Sequence, residues 1–135
     1  MDPSLDPEIE ALIAAFYAAF DNRGGRLPAV EGLRALFAET ATITRVTSEA
    51  VDSWTPEAFI APRQRILADG ALTDFHEWET TARTVVLANI ASRWSTYEKR
   101  GRLNGSDYGG GGHKFIQLHR LEGRWRISSI LWEDL

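Results

Sequence analysis

The chain has 135 residues, 44% of them hydrophobic, with five tryptophans, six phenylalanines and no cysteine; this suits a single domain over residues 1–135 with one continuous core, and excludes disulfides and thiolate chemistry. A net charge of −4 makes most of the surface repel phosphate backbones and acidic headgroups, so neither a nucleic-acid nor a membrane partner is expected. No apolar run approaches membrane-spanning length, and the opening Met-Asp-Pro-Ser-Leu-Asp-Pro lacks the apolar core of a secretory signal, which points to the cytoplasm.

Asp6 followed by Pro7 reads as an N-cap and first helical residue, because the carboxylate accepts orphan N–H groups and proline has none to leave unpaired. Ile9, Leu12, Ile13, Phe16 and Phe20 then recur on one helical stripe until Gly24-Gly25 stops it. Val30, Leu33 and Phe37 mark a second, shorter helix, and the β-branched residues 41–46 a first strand. Thr55-Pro56-Glu57 repeats the cap pattern and opens a third helix carrying Phe59, Ile66 and Leu67 up to Gly70. Pro62 predicts a kink or a break inside it.

From Leu72 onward alternation replaces helical spacing. Residues 72–86 and 89–99 read as a long hairpin, and residues 114–121 and 125–132 as another across the tight Glu122-Gly123 turn. Residues 101–112 read as a glycine-rich connection, either an ordinary loop or a lid with Tyr108 as its contact. Three helices and an early strand followed by four long strands make an α+β domain.

The amphipathic helix and turn leading to Leu36-Phe37-Ala38-Glu39-Thr40-Ala41-Thr42-Ile43 resemble the opening of the nuclear transport factor 2-like superfamily. The closing hairpin with Leu121-Glu122-Gly123-Arg124-Trp125-Arg126-Ile127 is similar to that superfamily's last two strands. The resemblance spans nearly the whole chain. It implies a cone-shaped, curved antiparallel sheet with three N-terminal helices packed on its concave face, a pocket between the two, and a homodimer. The superfamily includes ketosteroid isomerases, scytalone dehydratase and SnoaL-like cyclases, so it implies a fold rather than one activity. The isomerase's carbonyl-polarising tyrosine would fall on Phe16, with Tyr17 next to it. Its proton-shuttling aspartate would fall on Arg45 and its second acid on Gln117. Phe16 cannot donate a hydrogen bond and an arginine cannot abstract a proton near neutral pH, which excludes steroid isomerisation by that route.

Strand parity nominates the pocket lining. With Ile43 facing the core, Arg45 shares its side. Phe115 as an inward anchor brings Gln117 and His119 with it, Trp78 brings His76 and Thr80, Tyr97 brings Arg93 and Ser95, and Trp132 brings Ile130 and Ser128. Phe16, Tyr17, Arg45, Trp78, Arg93, Gln117 and Trp132 are thus candidate ligand-binding residues. Two inward arginines call either for an acidic small molecule or for inward glutamates. His76, His119 and Tyr97 are candidates for acid–base catalysis of the kind scytalone dehydratase's histidines and tyrosines suggest, or are simply satisfied at the sheet face.

No nucleotide, flavin or metal signature is present, and no cofactor is expected. Gly109-Gly110-Gly111-Gly112 leads into a strand without the Lys-Ser/Thr pair of a P-loop. His113 and His119 lie too far apart along one strand to share a metal. No Gly-x-Ser-x-Gly elbow occurs. Three functions remain open: binding of a small, partly apolar and acidic organic molecule; a cofactor-independent lyase, isomerase or cyclase; and an interaction module with a filled cone. Trp94, on the opposite parity to Tyr97, is expected on the outer sheet face where a second copy would cover it.

Overall fold

The computed structural model describes residues 6–135; residues 1–5 of the opening read above as unlike a signal lie outside them. Helix α1 (Pro7–Ala18) starts where Asp6 accepts hydrogen bonds from the Glu8 and Ile9 amides at 2.9 and 3.2 Å. Its buried stripe is Ile9, Leu12, Ile13, Phe16 and Tyr17. A single 3-10 turn (Arg23–Gly25) and a 3-10 helix (Val30–Ala35) follow. This second helical segment is tighter and shorter than the spacing predicts, because Phe37 pairs with Ile127 in the sheet and ends it.

Strands β1 (Phe37–Val46) and β2 (Val51–Trp54) form a short hairpin whose second strand the sequence did not reveal. Helix α2 (Pro56–Ala68), capped by Thr55 accepting from the Ala58 amide at 3.2 Å, runs continuously through Pro62. Then come β3 (Leu72–Leu87), β4 (Ile90–Leu103), β5 (Ser106–Leu121) and β6 (Arg124–Asp134). The six-stranded sheet has the order β2-β1-β6-β5-β4-β3. All pairings are antiparallel except β1 with β6, which run parallel.

Residues 101–112 are not a connection. β4 and β5 stay paired to the Asn104-Gly105 turn, whose two residues take φ of 50° and 83°, so the four glycines lie inside β5. The helices cover the concave face of the curved sheet, and the core of Phe16, Ile43, Ile60, Ile116 and Ile127 lies between the layers. No helix of the described residues is long and apolar enough to cross a membrane.

Candidate functional site

The helices do not fill the cone. A cavity of about 330 Å³ remains between α1, α2 and the sheet, at the small end of the size range for organic ligands. A cone packed shut by its own Trp78, Tyr97 and Trp132 is therefore not what this chain builds. Aromatic rings wall the cavity: Phe59 of α2 meets Trp132 of β6 edge to face at 5.9 Å, and Trp54 of β2, outside the lining, stacks behind Trp132 at 5.8 Å.

Between these rings the sheet register delivers charge. Glu79, Tyr97, Gly112 and Asp134 are successive cross-strand neighbours on β3, β4, β5 and β6, and Glu77, Lys99 and Gly110 form the next row. Across the glycine, the Tyr97 hydroxyl donates a hydrogen bond to Asp134 Oδ1, and Lys99 Nζ pairs with the same carboxylate at 3.2 Å. Burial and the Asp134 charge push the Tyr97 hydroxyl far above the usual phenol range, so it stays a donor. Burial opposes ionisation of Asp134, yet the Tyr97 hydrogen bond and the Lys99 charge hold its carboxyl below the usual range. Lys114, one row along on β5, donates from Nζ to Glu77 Oε2 at 3.0 Å and sits 3.7 Å from the centroid of the Tyr97 ring.

Two arginines at the cavity lack comparable partners. Arg63 of α2 lies 3.8 Å over the Phe59 ring and 5.7 Å from Trp132, and its Nη1 donates to the Phe59 carbonyl at 3.0 Å. Among the described residues no carboxylate pairs with it. Burial, with the Arg45 charge close by, pushes its guanidinium down to about 10. Arg45 of β1 reaches Asp52 only at 3.7 Å, and its buried Nε has no hydrogen-bond partner among the described residues. Both guanidinium groups share Trp54, at 5.6 and 5.8 Å.

Neither a protein-family model nor a curated protein matches the sequence. Solved structures do match in shape. A candidate aromatic ring hydroxylase from Novosphingobium aromaticivorans superposes with a TM-score of 0.77 at 14% identity, over 95% of this chain and 87% of that one. A candidate scytalone dehydratase from the same organism gives 0.75 at 15% identity, over 95% and 82%. A nuclear transport factor 2-like protein of unknown function from Silicibacter pomeroyi gives 0.63 at 21% identity, over 95% and 93%. The chain has the nuclear transport factor 2-like fold. At these identities the likeness is one of fold and assigns no activity.

On this nuclear transport factor 2-like cone the predicted residues separate into groups. Phe16, Arg45, Tyr97 and Trp132 line the cavity. Arg93 faces inward but is engaged by Glu79 and Glu10, with Thr84 accepting from its Nη1 at 2.9 Å. These carboxylates hold it protonated, above the ordinary arginine range, against the cost of burial. Of the two arginines read as inward, Arg93 has its glutamates, whereas Arg45 reaches only Asp52 at 3.7 Å. Tyr17 shares a 2.7 Å hydrogen bond with Ser95, which donates to Glu79 at 2.6 Å, so its hydroxyl belongs to this strut rather than to the cavity.

The remaining face assignments are corrected. Gln117 is exposed on the convex face and His119 bonds Ser128 there through Nδ1; Phe115 is half exposed while Lys114, Ile116 and Leu118 point inward. His76 and Trp78 stack on each other at 4.5 Å in a groove beside α1, outside the cavity, because Glu77 and Glu79 take the inward positions. Thr80 is exposed at a bulge between Glu79 and Thr81. The histidines are therefore not brought to Tyr97, and the histidine–tyrosine acid–base set does not assemble. Tyr108 lines the cavity from β5 rather than from a lid. Sequence reasoning missed Arg63, Glu77, Lys99, Lys114 and Asp134. Asp134 was within reach, since the parity that turns Trp132 inward turns Asp134 inward with it.

Proposed function

We propose that the cavity binds a small, partly apolar organic acid, with the carboxylate between Arg63 and Arg45 and the apolar body against Phe59 and Trp132. The observation that carries this reading is Arg63, a guanidinium held among aromatic rings with no carboxylate partner among the described residues. A half-buried charge without a counter-ion among aromatic rings is costly, and a bound anion relieves that cost. The name of one structural neighbour, for an enzyme acting on an aromatic ring, agrees with the aromatic walls.

Calorimetric titration with benzoate and with neutral benzamide tests the reading. Benzoate is expected to bind more tightly than benzamide, and Arg63→Met to weaken benzoate by about tenfold or more, since a hydrogen bond to a charged group contributes roughly 1.5–3 kcal/mol. Equal affinity for acid and amide, or an unaffected Arg63→Met protein, would remove the idea.

We further propose that a second copy of the chain covers the convex face of the sheet. Trp94 and Phe115 are 49% and 48% exposed there, meeting edge to face at 6.2 Å, and Leu131 continues their cross-strand row. Adjacent Val85, Leu87 and Ile90 extend this apolar surface, of the kind that soluble monomers seldom leave bare.

A further inference from the structure

Apart from its 13 arginines the chain has two lysines, Lys99 and Lys114, and both line the cavity. The difference in chemistry matters, because a guanidinium keeps its proton in a protein whereas an ammonium that gives one up becomes a nucleophilic amine. Lys99 is paired with Asp134. Lys114 is only 7% exposed, its Nζ is 3.0 Å from Glu77, and it faces Tyr97 and, at 5.8 Å, the Trp132 indole that Arg63 approaches at 5.7 Å. Burial pushes this amine below the usual lysine range, against the pull of Glu77. The carboxylate that holds the ammonium is also placed to take its proton.

We infer that Lys114 captures the carbonyl of a small aldehyde or ketone acid as an imine, with the substrate carboxylate held by Arg63 and Arg45. This rests on the organic-acid reading of the cavity and adds a covalent step to it. Glu77 first accepts a proton from the Lys114 ammonium. The free amine adds to the carbonyl carbon, forming the N–C bond while the oxygen takes the amine's released proton. The protonated Glu77 then gives its proton to the departing hydroxyl, which leaves as water as the C=N bond forms. The sum is ammonium plus carbonyl giving iminium plus water, with Glu77 again a carboxylate beside the positive nitrogen, and no oxidant or reductant is consumed.

The test incubates the full chain with para-carboxybenzaldehyde and cyanoborohydride, which fixes an imine as a secondary amine, and maps the adduct by peptide mass. In parallel, calorimetry measures binding of para-(hydroxymethyl)benzoate, which keeps the carboxylate and ring and lacks the carbonyl. The expected result is one adduct per chain on Lys114, formed about tenfold or more faster than on Lys99 or the terminal amine, because the carboxylate held by Arg63 and Arg45 positions the carbonyl at that one amine. The alcohol should bind and slow the labelling. Mapping on the unsubstituted chain makes the result independent of whether Lys114→Arg folds. Alcohol binding with no adduct, or with adducts spread over Lys99 and the terminus, overturns the imine and leaves the acid-binding reading standing. Failure of both the adduct and the alcohol to appear overturns the two together.

Discussion

Gly112 shows how a residue without a side chain builds the site. It occupies the inward position between Tyr97 and Asp134, and a Cβ added there would stand 2.6 Å from the Tyr97 hydroxyl oxygen and closer still to the Glu133 carbonyl. The empty position is what lets the Tyr97 hydroxyl cross β5 to reach Asp134. Gly112→Ala must therefore displace Tyr97 or spread β5 from β6, and is expected to destabilise the fold by about 2 kcal/mol in urea unfolding. Gly32→Ala, where an added Cβ meets nothing within 4 Å, should stay within about 0.5 kcal/mol of the unsubstituted protein. Equal stability of the two variants would show that the Tyr97–Asp134 crossing is not as tight as drawn. The same property hid this residue in the sequence: conformational freedom makes a glycine run read as a loop, and only the cross-strand register reveals that its lack of bulk is what is used.

At the scale of elements, Asn22 ties three of them together. It follows α1 and is buried. Its Nδ2 donates to the Leu67 carbonyl near the end of α2 at 2.9 Å and to the Leu72 carbonyl at the start of β3 at 2.7 Å, while its Oδ1 accepts from the Phe75 amide at 2.7 Å. Asn22→Ala leaves those backbone groups without partners, and a cost of about 3 kcal/mol is expected, together with faster amide exchange at Phe75. Retention of both stability and Phe75 protection would mean that water replaces the side chain without loss. The capped helices, the β3–β4 hairpin and the tight Glu122-Gly123 turn between β5 and β6 were legible because each is set by local chemistry. Strand faces were not. Parity was anchored on Trp78 and Phe115, yet Phe115 is half exposed and Trp78 lies in the groove beside α1, while Glu77 and Lys114 line the cavity, paired with each other. Bulges after Glu79 and Gln117 then shift the alternation further. The parallel pairing of β1 with β6 joins segments too distant in sequence for any local pattern to announce.

For the whole molecule, each face of the sheet carries one patch that departs from the usual assignment of polarity: a charged cluster beside the apolar core on the concave side, and an apolar row on the convex side. The concave side holds Glu77, Tyr97, Lys99, Lys114 and Asp134, while the convex side carries a row of Arg83, Trp94, Phe115 and Leu131 across four strands. Ion pairs along the cavity wall are consistent with a cavity kept open for a polar guest, since charged groups resist collapse into a dry core. The exposed apolar row on the convex face is what the proposed second copy would cover. In the proposed dimer one patch on a two-fold axis would meet itself, with Trp94 and Phe115 of one copy against the same residues of the other. Sedimentation at micromolar concentration is expected to show a dimer. Trp94→Glu, which sets like charges against each other at the centre of that patch, should weaken association by about thirtyfold or more, the loss typical when a central aromatic anchor is removed. Benzoate binding should be unchanged in that variant, as Trp94 lies on the opposite face from the cavity. A protein that sediments as a monomer at tens of micromolar would count against the paired arrangement and leave the convex face to a different protein.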